Sequence, residues 1–327
     1  MRLLYVTDLH GDVQKYEKTL EIALRKKVFI VVNGGDMLPY GGQDEFLRNY
    51  LPDYFERFSK AKIYYLCMLG NDDLCLYDED FRTLCHSKKE YIQDIAQHKV
   101  EVLGYEFIGM SYVLDYPFRL KDRCRLDSCK DHINKKQYGT PLFSVYKEGK
   151  ASSERSLLEP FDLTDLYLAI SGSAVSSMSS IAIEQSRSAY NAYLRRLPTI
   201  EQELDKLPTP TNMNKCIYVI HEPPYGIGLD VIQRGKIGSQ AVHNFLSNKQ
   251  PFLSLHGHVH ESPCVSGKWF ANIGKTICIQ PGQMPLQRMP KGLQEYFTTY
   301  VLIDLDSGVV KRVDEPLHKG GADAFCF

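Results

Sequence analysis

This chain of 327 residues lacks any apolar run approaching the ~20 residues that a bilayer-spanning helix needs. It also lacks a charge bias, since 39 Lys and Arg stand against 40 Asp and Glu. That balance argues against a long nucleic acid as partner, because such binders carry a basic excess, but it is no obstacle to nucleotides. No repeated C-x-x-C spacing organises the nine cysteines. Reduced, intracellular thiols are the expectation, with Cys67, Cys216 and Cys278 serving as small buried hydrophobes in apolar runs. Cys124 and Cys129 lie in a polar stretch, where metal binding or pairing stays open. The chain starts on an apolar strand, Arg2–Val6, without the shape of a signal peptide, so a cytoplasmic protein is expected. What is present, 43% hydrophobic and 24% charged residues, is the composition of an ordinary globular protein. The length suits two domains, or one large α/β domain with an insertion.

The first hundred residues alternate between strand and helix. Leu3 to Val6 reads as a strand, and Val13, Tyr16, Leu20, Ala23 and Leu24 have helical spacing over 12–27. The β-branched run Val28–Val32 predicts a buried strand. A helix over 43–60, a strand Ile63–Met68, a helix over 88–97 and strands Val100–Leu103 and Glu106–Met110 follow. Residues 111–214 break the pattern. Their first part, 115–136, is polar, with seven Lys and Arg against four Asp. The stretch 160–206 reads as helical around a serine-rich interruption at Ser171–Ser180, and prolines close it. The alternation resumes with strand Cys216–Ile220, a helix near 238–248, strand Pro251–Leu255, strands Thr276–Gln280 and Thr299–Asp304, and a hairpin partner Val309–Val313. This organisation predicts a sheet-centred core of residues 1–110 and 215–313. An inserted, largely helical cap or side lobe would occupy 111–214, and a tail 314–327.

Five short motifs stand at the ends of the core strands: Asp8-Leu-His10, Gly35-Asp36, Gly70-Asn71-Asp72-Asp73, His221-Glu-Pro-Pro and Gly257-His258-Val-His260. Taken singly, each is an ordinary turn. Jointly they would deliver Asp8, His10, Asp36, Asn71, His221, His258 and His260 to one sheet edge, where open α/β sheets bind ligands. Two carboxylates, one amide and four imidazoles suit Mn, Fe, Zn or Co better than Ca or an all-oxygen Mg site. Asp8 and His10 are two residues apart, as are His258 and His260, so each pair can project to one side of a strand end. Glycines 11, 34, 35, 70 and 257 allow tight turns and close backbone approach. His256 reads as a strand-end histidine bonded to backbone.

These motifs, in this order, resemble those of the calcineurin-like metallophosphoesterase family. The resemblance implies a four-layer α/β sandwich, two central mixed β-sheets flanked by helices, with the 111–214 insertion outside it. It implies two divalent metal ions: the first held by Asp8, His10 and His260, the second by Asn71, His221 and His258, with Asp36 bridging. It also implies a metal-dependent phosphohydrolase, in which a metal-bridging hydroxide attacks phosphorus in line. Asp36 and Asn71 would then count among the catalytic groups, and Asp73 would orient a metal-bound histidine. One position departs from the family. Where many members carry a histidine that assists the leaving group, this chain has Asp72. A phosphodiester, with one negative charge fewer than a monoester, tolerates that aspartate better, so the expected substrate is a small phosphoester, a diester sooner than a monoester, with nucleotides among the candidates. Two other readings compete: a catalytically weak metal-binding scaffold for protein partners, and a nuclease of the same superfamily. The row Arg119, Lys121, Arg123, Arg125 would either set cations over the site or form a solvated surface. Oligomeric state is not legible.

Overall fold

The computed structural model describes residues 1–118, 120–130, 144, 190–284 and 297–317. Strands β1 (Arg2–Val6), β2 (Ile30–Asn33), β3 (Tyr64–Cys67) and β4 (Ile92–Asp94) run parallel. A C-terminal hairpin, β15 (Phe297–Asp304) and β16 (Val310–Pro316), adds antiparallel to β1. The first sheet therefore has the order β16-β15-β1-β2-β3-β4. The second sheet is built from β5 (Lys99–Val102), β6 (Tyr105–Met110), β9 (Cys216–Ile220), β12 (Leu253–Leu255), β13 (Phe270–Ile273) and β14 (Thr276–Ile279). Its order is β13-β14-β12-β9-β6-β5, parallel except at the two outer pairs.

Apolar residues alternate between two buried faces, which is why the strands read as continuous hydrophobic runs. Leu3 and Tyr5 of β1 meet Phe107, Ile217, Val219 and Leu255 between the sheets. Leu4 and Val6 face the other way, into a cluster with Tyr16, Leu20, Tyr54, Phe55 and Phe58. Those five belong to helices Val13–Lys26 and Leu51–Ala61. On the far side, Tyr218 and Ile220 pack with Ile200, Leu204, Val242 and Leu246 from helices Ile200–Asp205 and Gln240–Lys249. The result is helix, sheet, sheet, helix: the expected four-layer sandwich. Each fully buried side chain of this kind contributes about 1.5–3 kcal/mol.

Local signals set the helix ends. Asp12 caps the first helix by accepting from the amides of Gln14 and Lys15. The helix expected over 88–97 lies elsewhere: it is Asp78–Ser87, begun by Asp78, Glu79 and Asp80 at its positive end. Residues 92–94 are instead an edge strand, because Tyr65 and Cys67 of β3 pair with Ile92 and Asp94. The helix expected over 43–60 is interrupted by a π turn, Phe46–Tyr50. Strand β16 also reaches Pro316, so the expected tail begins inside a strand.

Within 111–214 the described residues include a two-stranded parallel pair, β7 (Val113–Leu114) and β8 (Cys124–Arg125). Helical turns cover 190–194. Residues 160–189 of the helical segment expected over 160–206, with its serine-rich interruption, and the chain beyond 317 lie outside the described residues. A last small hairpin, β10 (Val231–Ile232) with β11 (Gly235–Lys236), follows β9. Cys67, Cys216 and Cys278 are buried as expected; Cys124 and Cys129 are free, the first buried and the second exposed. Among the described residues no helix is long and apolar enough to cross a membrane.

Glu106 ties Thr211 and Asn212 to β6. Its buried carboxylate accepts from the amides of Thr211 and Asn212 and pairs with Lys99 at 2.9 Å. Burial pushes the carboxyl up, but those amides and the ammonium outweigh it and bring it from 4.5 down to about 2. A depressed carboxyl contributes stability above its unfolded value and loses it as pH falls through the folded one. Glu106→Gln is therefore expected to cost about 2 kcal/mol at neutral pH. Denaturant titrations of variant and parent should converge as pH drops from about 4.5 toward 2; a constant gap across that range would refute the assignment.

Candidate metal centre

The ends of β1, β2, β3, β9 and β12 converge where the two sheets meet. Beyond their last paired residues, the chains after β1 and β2 stay joined: Asp8 donates to Gly35, His10 to Asp36 and Gly11 to Met37, at 2.8–2.9 Å. In the second sheet the His221 amide donates to Met110 and that of Gly257 to His221. The His258 amide reaches across between the sheets to Asp8 Oδ1 at 2.9 Å. Crowding is severe here. A Cβ on Gly70 would overlap the Asp36 carboxylate, and one on Gly257 would overlap Thr7 and approach Asp8. Asp8, His10, Asp36 and His258 all adopt positive φ, between 45° and 70°. Such left-handed backbone costs about 1–3 kcal/mol per residue and persists where surrounding structure enforces it, often at functional sites.

All seven residues singled out as metal donors come together. Asp8, His10, Asp36 and His260 offer ligand atoms that lie within 4.8 Å of one another, as do those of Asp36, His221 and His258. Asp36 thus belongs to both clusters. Asn71 Oδ1 lies 3.0 Å from His221 Nε2, beside the second. His221 Nδ1 donates to the Gly34 carbonyl at 2.8 Å, leaving Nε2 to face Asp36 Oδ2 at 3.3 Å. Burial alone would pull His221 down, but Asp36 and Asp8 outweigh it and raise the imidazole to about 10. The same attraction, with His10, holds the Asp36 carboxyl well below the usual range against its own burial. Burial lowers His258 to about 3, so it presents a neutral ring, the form that ligates metal.

Two features show that divalent cations fit this donor set. His10 Nε2 and His260 Nε2 stand 3.1 Å apart, a spacing at which at most one can carry a proton. Asp8 Oδ2 is buried without a hydrogen-bond partner, a cost that a cation at the cluster would offset.

Asp72 lies at the mouth. Its Oδ1 accepts from Asn71 Nδ2 at 2.9 Å, and its Oδ2 is 3.9 Å from His10 Nδ1. In the protein alone, burial, then Asp36 and Asp73, push this carboxyl up to about 8. Asp73 has a different task from the one expected. Its carboxylate touches no ligand histidine and instead accepts from the amides of Gly70, Met37 and Leu38 at 2.6–2.9 Å. It therefore staples the loop after β3 to the loop after β2; the carbonyl of Gly34, not Asp73, orients His221.

The described members of the basic row are neither solvated nor aimed at the site. Lys121 is buried on Asp115, and Arg125 stacks over Tyr112 near Glu203. Arg123 donates to the Gly70 carbonyl at 2.8 Å and pairs with Asp78. Arg119 lies outside the described residues. His256 behaves as expected, bonded to the carbonyls of Ile220 and Glu222 and to Ser254.

Several contributors carry no sequence signal. Tyr40 stacks on His10, with ring centroids 4.6 Å apart. Tyr116 packs against His258 at 4.5 Å and donates to the buried Glu222. Gln43 clamps the site loop, donating to the Asp72 carbonyl and accepting from the Leu74 amide. Only tertiary proximity reveals them.

Replacing Asp73 by Ala strips the shared acceptor from three buried amides, each worth about 1–3 kcal/mol when orphaned. The expected result is a loss of about 3 kcal/mol or more in denaturant unfolding, with Mn²⁺ affinity falling in parallel as Asn71 loses its support. Unchanged stability would show that the staple is idle.

A family model described as calcineurin-like phosphoesterase matches residues 1–262. No curated protein matches the chain. Among solved structures, TT1561 of Thermus thermophilus is similar at 14% identity and a TM-score of 0.50, covering 96% of this chain and 98% of its own. A second solved structure reaches 0.52 at the same identity and coverage. A novel archaeal phosphodiesterase is 10% identical over 96% of this chain and 99% of its own, with a TM-score of 0.38 that is too low to argue from. At these identities the likeness speaks for the fold alone.

Proposed function

This chain belongs to the calcineurin-like phosphoesterase family, and on that premise we propose that it is a metal-dependent phosphohydrolase acting on small phosphodiesters in preference to monoesters. The observation that carries this reading is the pair of donor clusters sharing Asp36. Asp8, His10 and His260 would hold one divalent cation, and Asn71, His221 and His258 the other, with Asp36 serving both. When bound, two such cations supply Lewis-acid charge for a phosphoryl group and lower the pKa of water.

The protein's own groups do the remaining work. The Gly34 carbonyl fixes the His221 tautomer. Asp36 keeps Oδ2 turned toward the histidines because its Oδ1 is engaged by the Asp72 amide at 2.8 Å. Asn71 offers an oxygen without adding negative charge that would repel phosphate. Asp72, one-quarter exposed, meets the substrate as an anion once cations lower its pKa. A monoester dianion is repelled more strongly by it than a diester monoanion, which supports the diester preference. Bis(p-nitrophenyl) phosphate should therefore turn over with Mn²⁺ faster than p-nitrophenyl phosphate, and chelation should abolish both activities. A monoester preference would sink the substrate assignment.

Asp72 also favours one competing reading. An anion where many family members carry histidine suits a metal-binding scaffold as well as a slow enzyme. Tight binding of two metals with no turnover across a broad phosphoester panel would support the scaffold. For an enzyme, Asp72→His is expected to raise kcat on the order of tenfold for diesters with poor leaving groups, where general-acid help counts most. Activated aryl diesters should change little. Equal effects on both classes, read from steady-state rates, would refute this role for position 72.

A further inference from the structure

We propose that Tyr40 contacts the substrate, its phenol donating a hydrogen bond to a phosphoryl oxygen at the mouth of the site. This rests on the phosphohydrolase reading and supplies a donor on the side where Asp72 replaces histidine. Tyr40 sits in the loop after Asp36, followed by Gly41 and Gly42, at which a side chain would meet nothing. The residue is 70% exposed, and its ring lies nearly parallel to that of His10, with an interplanar angle of 17°. Its hydroxyl points inward, 3.4 Å from His10 Nε2.

That nitrogen also faces His260 Nε2 at 3.1 Å and Asp36 Oδ2 at 4.0 Å, inside the first donor cluster. An imidazole nitrogen has one lone pair, so a nitrogen that ligates a cation cannot accept from the phenol. The hydroxyl is then released toward another acceptor in the same place, and of the nearby carboxylates Asp8 and Asp36 belong to the donor clusters. A phosphoryl oxygen drawn to those clusters is such an acceptor. An ordinary phenol keeps its proton at neutral pH and so serves as a donor. A neutral donor also adds no charge to a mouth that already carries Asp72.

The test uses Mn²⁺-loaded wild type, Tyr40→Phe and Tyr40→Ala, with inorganic phosphate binding by calorimetry and steady-state rates on bis(p-nitrophenyl) phosphate. Tyr40→Phe keeps the ring and loses the hydroxyl. It is expected to retain metal content, to bind phosphate about tenfold more weakly, as loss of one charge-assisted hydrogen bond implies, and to lower kcat/KM similarly. Wild-type phosphate affinity in Tyr40→Phe, with metal loss only in Tyr40→Ala, would leave the ring as a mere support for His10 and overturn the proposal. A wild type that binds phosphate without turning over any ester defeats the phosphohydrolase reading, while the Phe variant's phosphate affinity still decides Tyr40. A wild type that binds no phosphate overturns both.

Discussion

Two buried carboxylates set the terms for the rest of the structure. Asp8 and Asp36 are almost fully excluded from water, and burying an uncompensated charge costs several kcal/mol. The protein's answer is a ring of imidazoles, with His221 3.3 Å from Asp36 and His260 3.6 Å from Asp8. Four rings cannot all be protonated at such spacing, and His258 is held neutral. The set is arranged for cations, and its neutral members become useful once cations are present. The strained backbone at Asp8, His10, Asp36 and His258 follows from the same demand, because side chains on two sheets must reach a shared point.

The sandwich exists to hold that point rigid. Its central layer of Leu3, Tyr5, Val32, Phe107, Val219 and Leu255 locks the sheets face to face, and Tyr5 carries the lock further by donating to the His256 carbonyl at 2.7 Å. The strand ends are then close enough for the His258 amide to reach Asp8. Around them, Asp73, Gln43 and Arg123 bind the loop of Gly70 and Asn71 from three directions. Precision at a metal site comes from such supporting contacts as much as from the ligands.

Much of this was legible in the chain. Strand runs ending in Asp, Asn or His announced both the layers and the donors, because a strand buried on both faces is apolar until it leaves the sheet. The misplaced helix at 88–97 shows the limit. Tyr91, Ile92 and Ile95 carry a spacing that suits a helix, yet β3 claims residues 92–94 as an edge partner, and no local pattern records that competition. The basic row at 121–125 misled in the same way, since alternating cations look solvated until Asp78 and Glu203 arrive from distant positions and Asp115 folds back on Lys121 to bury them.

The sequence by itself determined which chemical groups are available: two carboxylates, an amide and four imidazoles at strand ends, and an aspartate at position 72. These are local properties, set by residue type and by where apolar runs stop. Tertiary structure decided how the groups divide. It made Asp36 common to both clusters, turned Asp73 from a histidine's partner into a staple between loops, and laid Tyr40 over His10. Those outcomes depend on distances between residues far apart in the chain, and only the packing of the two sheets sets them.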